Sequence, residues 1–387
     1  MKVVKLDTWL ANAGLRNYLF VELTTDNGLV GLGEASLEWQ ERAVLCLLED
    51  WVADRVLATN PFDVERVIGE MIRDQYHGGP TILTAISGVE IALWDLIGKA
   101  CGQPVYHLLG GRAHDRLRAY ANGWYGGART PREFADKART PLQIGYRALK
   151  FDPFGIAWKE LAAPEMQRVE AIVAAVRSTV GDEVELMVEV HGRLSPECAI
   201  EMGRRLAAYR PAWYEEPVAP NDLERLREVK AALSIPVAAG ERLYSLEDFY
   251  RLTTLRACDI VQMDLVHCGG LAVGKKIAAM TQAQDLRIAP HCSVGPIALC
   301  AAVHFGWSTR NVMIQENFGD FDVPWRTDLV RGWNPVRDGK FLLPDRPGLG
   351  IELDRAVCKA HPYRPRSFPS LWDDRWIAEF TKGDPLG

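Results

Sequence analysis

At 387 residues the chain is too long for one small domain and fits a large barrel with a smaller partner. Its 48% hydrophobic and 25% charged residues are those of an ordinary soluble globular protein. A net charge of −6, a pI near 5.8 and the lack of a basic stripe argue against nucleic-acid or anionic-membrane partners.

The N-terminus, MKVVKLDTWL, has too short an apolar core for a signal peptide, and no run along the chain approaches a membrane span. LFVELTT and LVGLGEA flank Asp26-Asn27-Gly28, a hairpin signal because Asn-Gly takes positive φ cheaply. Gly28, Gly31 and Gly33 belong to that hairpin and not to a phosphate cradle, since no helix follows where one is required. From about residue 40 to 110 the text is helical. ISGVEIALWDLIGKACG places Val89, Leu93, Leu96 and Ile97 on one face and ends at Gly102. Residues 1–115 therefore read as an α+β domain.

The barrel opens with RLRAYANGW near residue 116, and ALKFD at 148–152 is its second strand, ending in Lys150 and Asp152. Six ionisable residues then close apolar runs at a spacing of about 26 residues: Glu189, Glu215, Glu241, Asp264, His291 and Glu316. Helical segments follow at 164–179, 221–232, 269–284 and 295–309. Ser195-Pro196-Glu197 and Ser245 to Asp248 are helix starts. A strand-then-helix repeat of that length is a βα unit, and eight of them make a barrel with its chemistry at the carboxyl ends of the strands. The predicted fold is a (β/α) barrel over 116–325. Residues 326–387, with PDRPGLG and HPYRPRSFPS, return along the first domain to complete a cap over the barrel mouth.

Three carboxylates on consecutive strand ends repel unless a counter-ion joins them. Rim salt bridges are the bland alternative. The register of Glu189, Glu215 and Glu241 favours a shared divalent cation, and all-oxygen donors favour Mg²⁺, or Mn²⁺, over zinc. Asp264 precedes His291 by one strand, so a carboxylate bonded to one ring nitrogen makes the other a general base. His191, two residues after Glu189, shares its inward face if the strand continues. It would then stand across the metal from His291 and deliver a proton. Lys150 supplies a fixed positive charge for a developing oxyanion. His267, just past strand six, is expected in a loop or behind the site. The eight scattered cysteines contain no CxxC pair, the pattern of reduced thiols in a cytoplasmic protein.

GLGEA, YHGGP, ALWDLIGKACGQPVYHLLGG, YEEP, GERL, QMD with its following GG, APH and IQEN lie in order along nearly the whole chain. In these the sequence resembles the enolase superfamily, in its mandelate racemase subgroup. The resemblance implies metal ligation by Glu189, Glu215 and Glu241, a His291–Asp264 base and Glu316 as partner to the substrate carboxylate. Members with a histidine where His191 stands are typically acid-sugar dehydratases similar to galactonate dehydratase, and there it expels the 3-hydroxyl. Two departures stand out. Strand two carries Lys150-Phe-Asp152 in place of K-x-K, which removes the second lysine base of a racemase. The first ligand is Glu where Asp is commoner.

The expected activity is Mg²⁺-dependent dehydration of an aldonate or aldarate to a 2-keto-3-deoxy acid. An epimerase or lactone cycloisomerase on the same scaffold is the alternative, and a non-catalytic metabolite-binding barrel a more distant one. Candidate substrate contacts are Ala11 to Asn17, Trp39, Tyr76 and His77 from the cap, with Trp124, Asp152 and Arg193 from the barrel. A homo-oligomer acting on a small-molecule sugar acid is expected.

Overall fold

The computed structural model describes residues 1–333 and 336–365. The chain starts with an antiparallel sheet in the order β1 (Val3–Ala13), β2 (Arg16–Thr25) and β3 (Val30–Glu34). Gly28, at φ 85°, turns the β2–β3 hairpin. Helices Glu41–Leu47, Val64–Asp74 and Pro80–Cys101 follow, the last stopped by Gly102 at φ 63°.

The helix Pro80–Cys101 corrects one expectation. It is long and apolar enough to cross a membrane by length and composition, with 89% of its 18-residue window buried. It is the central helix of the cap, packed under the sheet through Val89, Leu93, Leu96 and Ile97. Both of its faces meet protein, so it carries apolar residues all round without the helical stripe of a half-exposed helix.

Eight parallel strands form the barrel: β4 (Leu117–Ala121), β5 (Ala148–Phe151), β6 (Glu185–Glu189), β7 (Trp213–Glu215), β8 (Val237–Ala239), β9 (Ile260–Val261), β10 (Arg287–Ile288) and β11 (Gln315–Asn317). They run in the order β10-β9-β8-β7-β6-β5-β4-β11, and an Ile288–Val312 bridge joins the ends. One side chain from each strand fills the interior: Tyr120, Ala148, Met187, Trp213, Ala238, Ile260, Ala289 and Ile314. This is a packed layer, not a pore. Two residues on, the same faces carry Asn122, Lys150, Glu189, Glu215, Gly240, Gln262, His291 and Glu316, so strand alternation writes the site onto the rim.

Helices Ala163–Val180, Pro196–Leu206, Leu223–Ala231, Leu246–Thr254, Leu271–Ala283 and Pro296–Ser308 wrap the outside. Ser195 caps its helix through Cys198 N, and Ser245 with Asp248 forms a capping box. The described tail runs back to the cap. Arg355 bonds Glu22, His361 O accepts from Asn12 N, and Leu349 N donates to Asp95. Of HPYRPRSFPS, residues 366–370 lie outside the described residues, as does the rest to 387.

Candidate active site

Glu189 and Glu215 end β6 and β7, while Glu241 lies two residues beyond β8, after Gly240 at φ 138°. Each of the three offers one oxygen within 4.8 Å of the others, and all three residues are buried. Glu189 Oε1 accepts from Val190 N and His191 N at 2.9 and 2.6 Å. Glu215 Oε2 accepts from Trp213 Nε1 at 2.7 Å. Glu189 Oε2 and Glu241 Oε2 are buried and accept no hydrogen bond. Buried carboxylate oxygens without a donor are costly, and a cation among hard oxygen donors satisfies them. Burial, with the Glu241 charge, pushes Glu189 up to about 7. Burial and the Glu189 charge push Glu215 well above the carboxylate range. These residues fit a divalent metal.

Lys150 is the buried cation among the acids. Its Nζ lies 2.7 Å from Glu215 Oε1, 3.0 Å from Glu316 Oε1 and 3.6 Å from Glu189 Oε2. Burial alone would lower its pKa, and the charges of Glu215 and Glu316 outweigh that and raise it. Glu316 also accepts from Asn122 Nδ2 and Cys292 N, both at 2.8 Å. Asp264 and His291 pair across adjacent strands, with His291 Nδ1 2.7 Å from Asp264 Oδ2. Asp264 accepts only, since burial is outweighed by His267 and His291 and its carboxyl sits below its ordinary value. His291 Nε2 therefore faces the site, 3.4 Å from Glu241 Oε2 and 3.9 Å from Glu316 Oε2. Those charges outweigh burial and hold the ring well above its ordinary pKa.

His191 reaches the site by a different route from the one expected. The strand stops at Glu189, and His191 sits in a turn at φ 54°, so strand alternation does not place it. Its Nδ1 lies 2.8 Å from Asp152 Oδ2. His191 follows β6 and His291 follows β10, four strands apart in a ring of eight, which puts the two histidines on opposite sides.

Both rings line a cavity of about 270 Å³ with Lys150 and Glu241. Trp39 lines it as well. Of the Ala11 to Asn17 segment, Arg16 does, bonded to Glu38 at 3.3 Å. Tyr76 and His77 are not among its walls, and Tyr76 is 93% exposed with its ring against His77. Trp124 packs against Phe151 and donates to Lys150 O. Asp152 and Arg193 bond each other and His191 behind the wall, so with Trp124 they support the site from outside the cavity. His267 lines the cavity, with Nε2 3.1 Å from Ser36 O. Sequence reasoning passed over Asn122, Arg242 and Tyr244, which also line it. Asn122 was findable, two residues after Tyr120 on β4. Arg242, bonded to Glu216 through Nε at 2.7 Å, was hidden beside Glu241.

Two family models match the chain: "Enolase C-terminal domain-like" over residues 133–357 and "Mandelate racemase / muconate lactonizing enzyme, N-terminal domain" over residues 8–110. The chain is 37% identical over 370 residues to the D-gluconate/D-galactonate dehydratase of Picrophilus torridus, covering 95% of this chain and 91% of that protein. It is 33% identical over 367 residues to the D-galactonate dehydratase of Pectobacterium atrosepticum, with 92% and 93% covered. Among solved structures, a mandelate racemase/muconate lactonizing enzyme from Jannaschia sp. CCS1 superposes with a TM-score of 0.87 at 34% identity, covering 94% of this chain and 98% of that one. One from Sulfitobacter sp. gives 0.88 at 33% identity, with 94% and 96% covered.

Proposed function

The chain belongs to the mandelate racemase / muconate lactonizing enzyme family of the enolase superfamily, and on that premise we propose that it is a hydro-lyase dehydrating a sugar acid. The observation that carries this reading is the pair of histidines facing one cavity from opposite sides of a buried glutamate trio. Glu189, Glu215 and Glu241 would hold Mg²⁺. When bound there, the cation supplies Lewis-acid stabilisation of the charge developing on the substrate carboxylate and offsets the Glu241 charge that otherwise keeps a proton on His291.

His291 Nε2 then removes the proton α to the substrate carboxylate, with Asp264 keeping the ring's other hydrogen on Nδ1. Lys150 sets a positive charge beside the carboxylate end of the cavity. Glu316, fixed by Asn122, Cys292 N and Lys150, orients that charge. On the far side His191 gives a proton to the β-hydroxyl, which leaves as water. The enol that remains tautomerises to a 2-keto-3-deoxy acid. Removal of the strand-two lysine base, with Asp152 in its place, fits one abstracting base and one acid.

Six-carbon aldonates, D-gluconate and D-galactonate, are the substrates to test first, as the names of the relatives suggest. Incubation with Mg²⁺ is expected to yield a 2-keto-3-deoxy acid. His291→Asn is expected to abolish both dehydration and exchange of the α-proton in D₂O, whereas His191→Asn loses dehydration and keeps exchange. A product epimeric with the substrate and formed without loss of water overturns the reading. So does a His191→Asn enzyme that dehydrates at the wild-type rate.

A further inference from the structure

Asp152 stands one residue past β5 with its side chain buried. Four contacts converge on it. His191 Nδ1 lies 2.8 Å from Oδ2, and Phe154 N donates to Oδ1 at 2.9 Å. Arg193 reaches both oxygens, Nη1 at 3.1 Å from Oδ1 and Nη2 on Oδ2. Arg193 is itself fully buried, and its Nη2 is 3.5 Å from His191 Nδ1. The left-handed turn at His191 and Gly192, φ 54° and 66°, brings residues two apart onto one carboxylate. Such a conformation costs a non-glycine residue energy and persists where surrounding contacts over-determine it.

A carboxylate only accepts hydrogen bonds, so the ring nitrogen facing it must carry hydrogen. That leaves His191 Nε2 as the nitrogen toward the cavity. Burial raises the Asp152 carboxyl, but the Arg193 charge and the His191 bond prevail and hold it at about 2. Without Asp152, Nδ1 would face the Arg193 guanidinium. A donor there turns Nδ1 into an acceptor and takes away the bond that holds Nε2 toward the cavity.

We infer that Asp152 is a positioning residue for the leaving-group half of the reaction, fixing the tautomer and direction of His191, with Arg193 holding Asp152 in place. The inference rests on the reading of His191 as the acid. It makes the site two carboxylate–imidazole pairs, Asp264–His291 and Asp152–His191, on opposite sides of the barrel mouth.

The test uses Mg²⁺-supplemented enzyme and two readouts, dehydration and α-proton exchange in D₂O. Asp152→Ala and Asp152→Asn are expected to lose about 100-fold in dehydration, the upper range for losing a partner that orients a site histidine. Exchange driven by His291 continues at the wild-type rate. Unchanged dehydration overturns the inference, and so does a parallel loss of both activities, which marks a merely structural role. If His191→Asn loses dehydration and Asp152→Ala does not, this inference fails alone. If His191→Asn dehydrates normally, the acid reading fails and takes this one with it. A measurement on the wild-type protein needs no variant to fold. The ¹⁵N spectrum of the neutral His191 ring, assigned by its loss in His191→Asn, is expected to show hydrogen on Nδ1, and hydrogen on Nε2 overturns the proposal.

Discussion

The three glutamates share one residue type and differ in charge because their neighbours differ. Glu189 is pushed up by burial and the Glu241 charge, and Glu215 by burial and the Glu189 charge. At Glu241 burial is outweighed by His291, Lys150 and His191, which bring it to about 2. Lys150 is shared among Glu189, Glu215 and Glu316, so metal binding relieves repulsion that the fold otherwise carries. Mg²⁺ at about 100 times its dissociation constant is therefore expected to stabilise the protein by about 2.7 kcal/mol. EDTA-treated protein is expected to stay folded, lose activity and regain it with Mg²⁺. Glu215→Gln removes one carboxylate charge beside Lys150 and is expected to lose most of that increment. Thermal unfolding with and without Mg²⁺ reads it, and an undiminished increment in the variant, or full activity in metal-free buffer, contradicts the assignment. At this scale the acids, His291 and Lys150 were legible because each ends an apolar run. The roles of Asp152 and Arg193 were not. The left-handed turn at His191 that joins them leaves no periodic trace, and without it both resemble contacts to a ligand.

Among elements, the barrel was legible because βα repeats announce themselves by spacing and by caps such as Ser195 and Ser245. The interior layer and the rim layer differ by two residues on every strand, so either one, read alone, gives the other. β8 breaks the rule. Gly240 takes the rim position and Glu241 is displaced by one, which alternation could not foresee. The cap was legible as elements and illegible as packing. β3 lies directly on the helix Pro80–Cys101, and a Cβ on Gly33 would fall 1.8 Å from Gly88 O, one on Gly31 2.3 Å from Ala92 O. Sequence reasoning had these glycines down to the hairpin. Their role is close approach of a strand to a helix backbone, which has no local signature. Gly33→Ala must separate the two elements, because carbonyl backbone cannot swing aside as a side chain can. A loss of at least about 1–3 kcal/mol is expected. Urea unfolding of the variant measures it, and wild-type stability there would show that the sheet and helix can part without cost.

The whole molecule depends on how the cap sits on the barrel, and buried cap carboxylates make that joint. Glu34, ending β3, accepts from Gly295 N and Ala298 N at 2.6 and 2.9 Å, at the start of the helix Pro296–Ser308. Glu90 accepts from Leu271 N and Ala272 N at 2.7 and 2.8 Å, at the start of the helix Leu271–Ala283. Asp95 accepts from Leu349 N in the tail and Leu32 N in β3. Helix N-termini attract negative charge, so Glu34 and Glu90 each meet a favourable dipole. The two helices held in this way follow β9 and β10, the strands that present Asp264 and His291, so the joint that seats the cap also braces that pair. Burial without a cation outweighs the donors at Glu90 and raises it to about 7, from an ordinary 4.5. The sign of the consequence follows from proton counting. Between those two values the folded chain holds a proton that the unfolded chain has released. The contribution of Glu90 is thus fully present below 4.5 and is lost as pH rises through about 7. Glu90→Gln cannot titrate, so the stability of the wild type relative to this variant is expected to fall by up to about 3 kcal/mol from pH 4.5 to pH 8. Taking the difference cancels the other buried acids, which titrate alike in both proteins. Urea unfolding across that range measures it. A difference constant with pH would mean that Glu90 is ionised throughout, and that its three donors, with Trp94 Nε1 among them, win against burial.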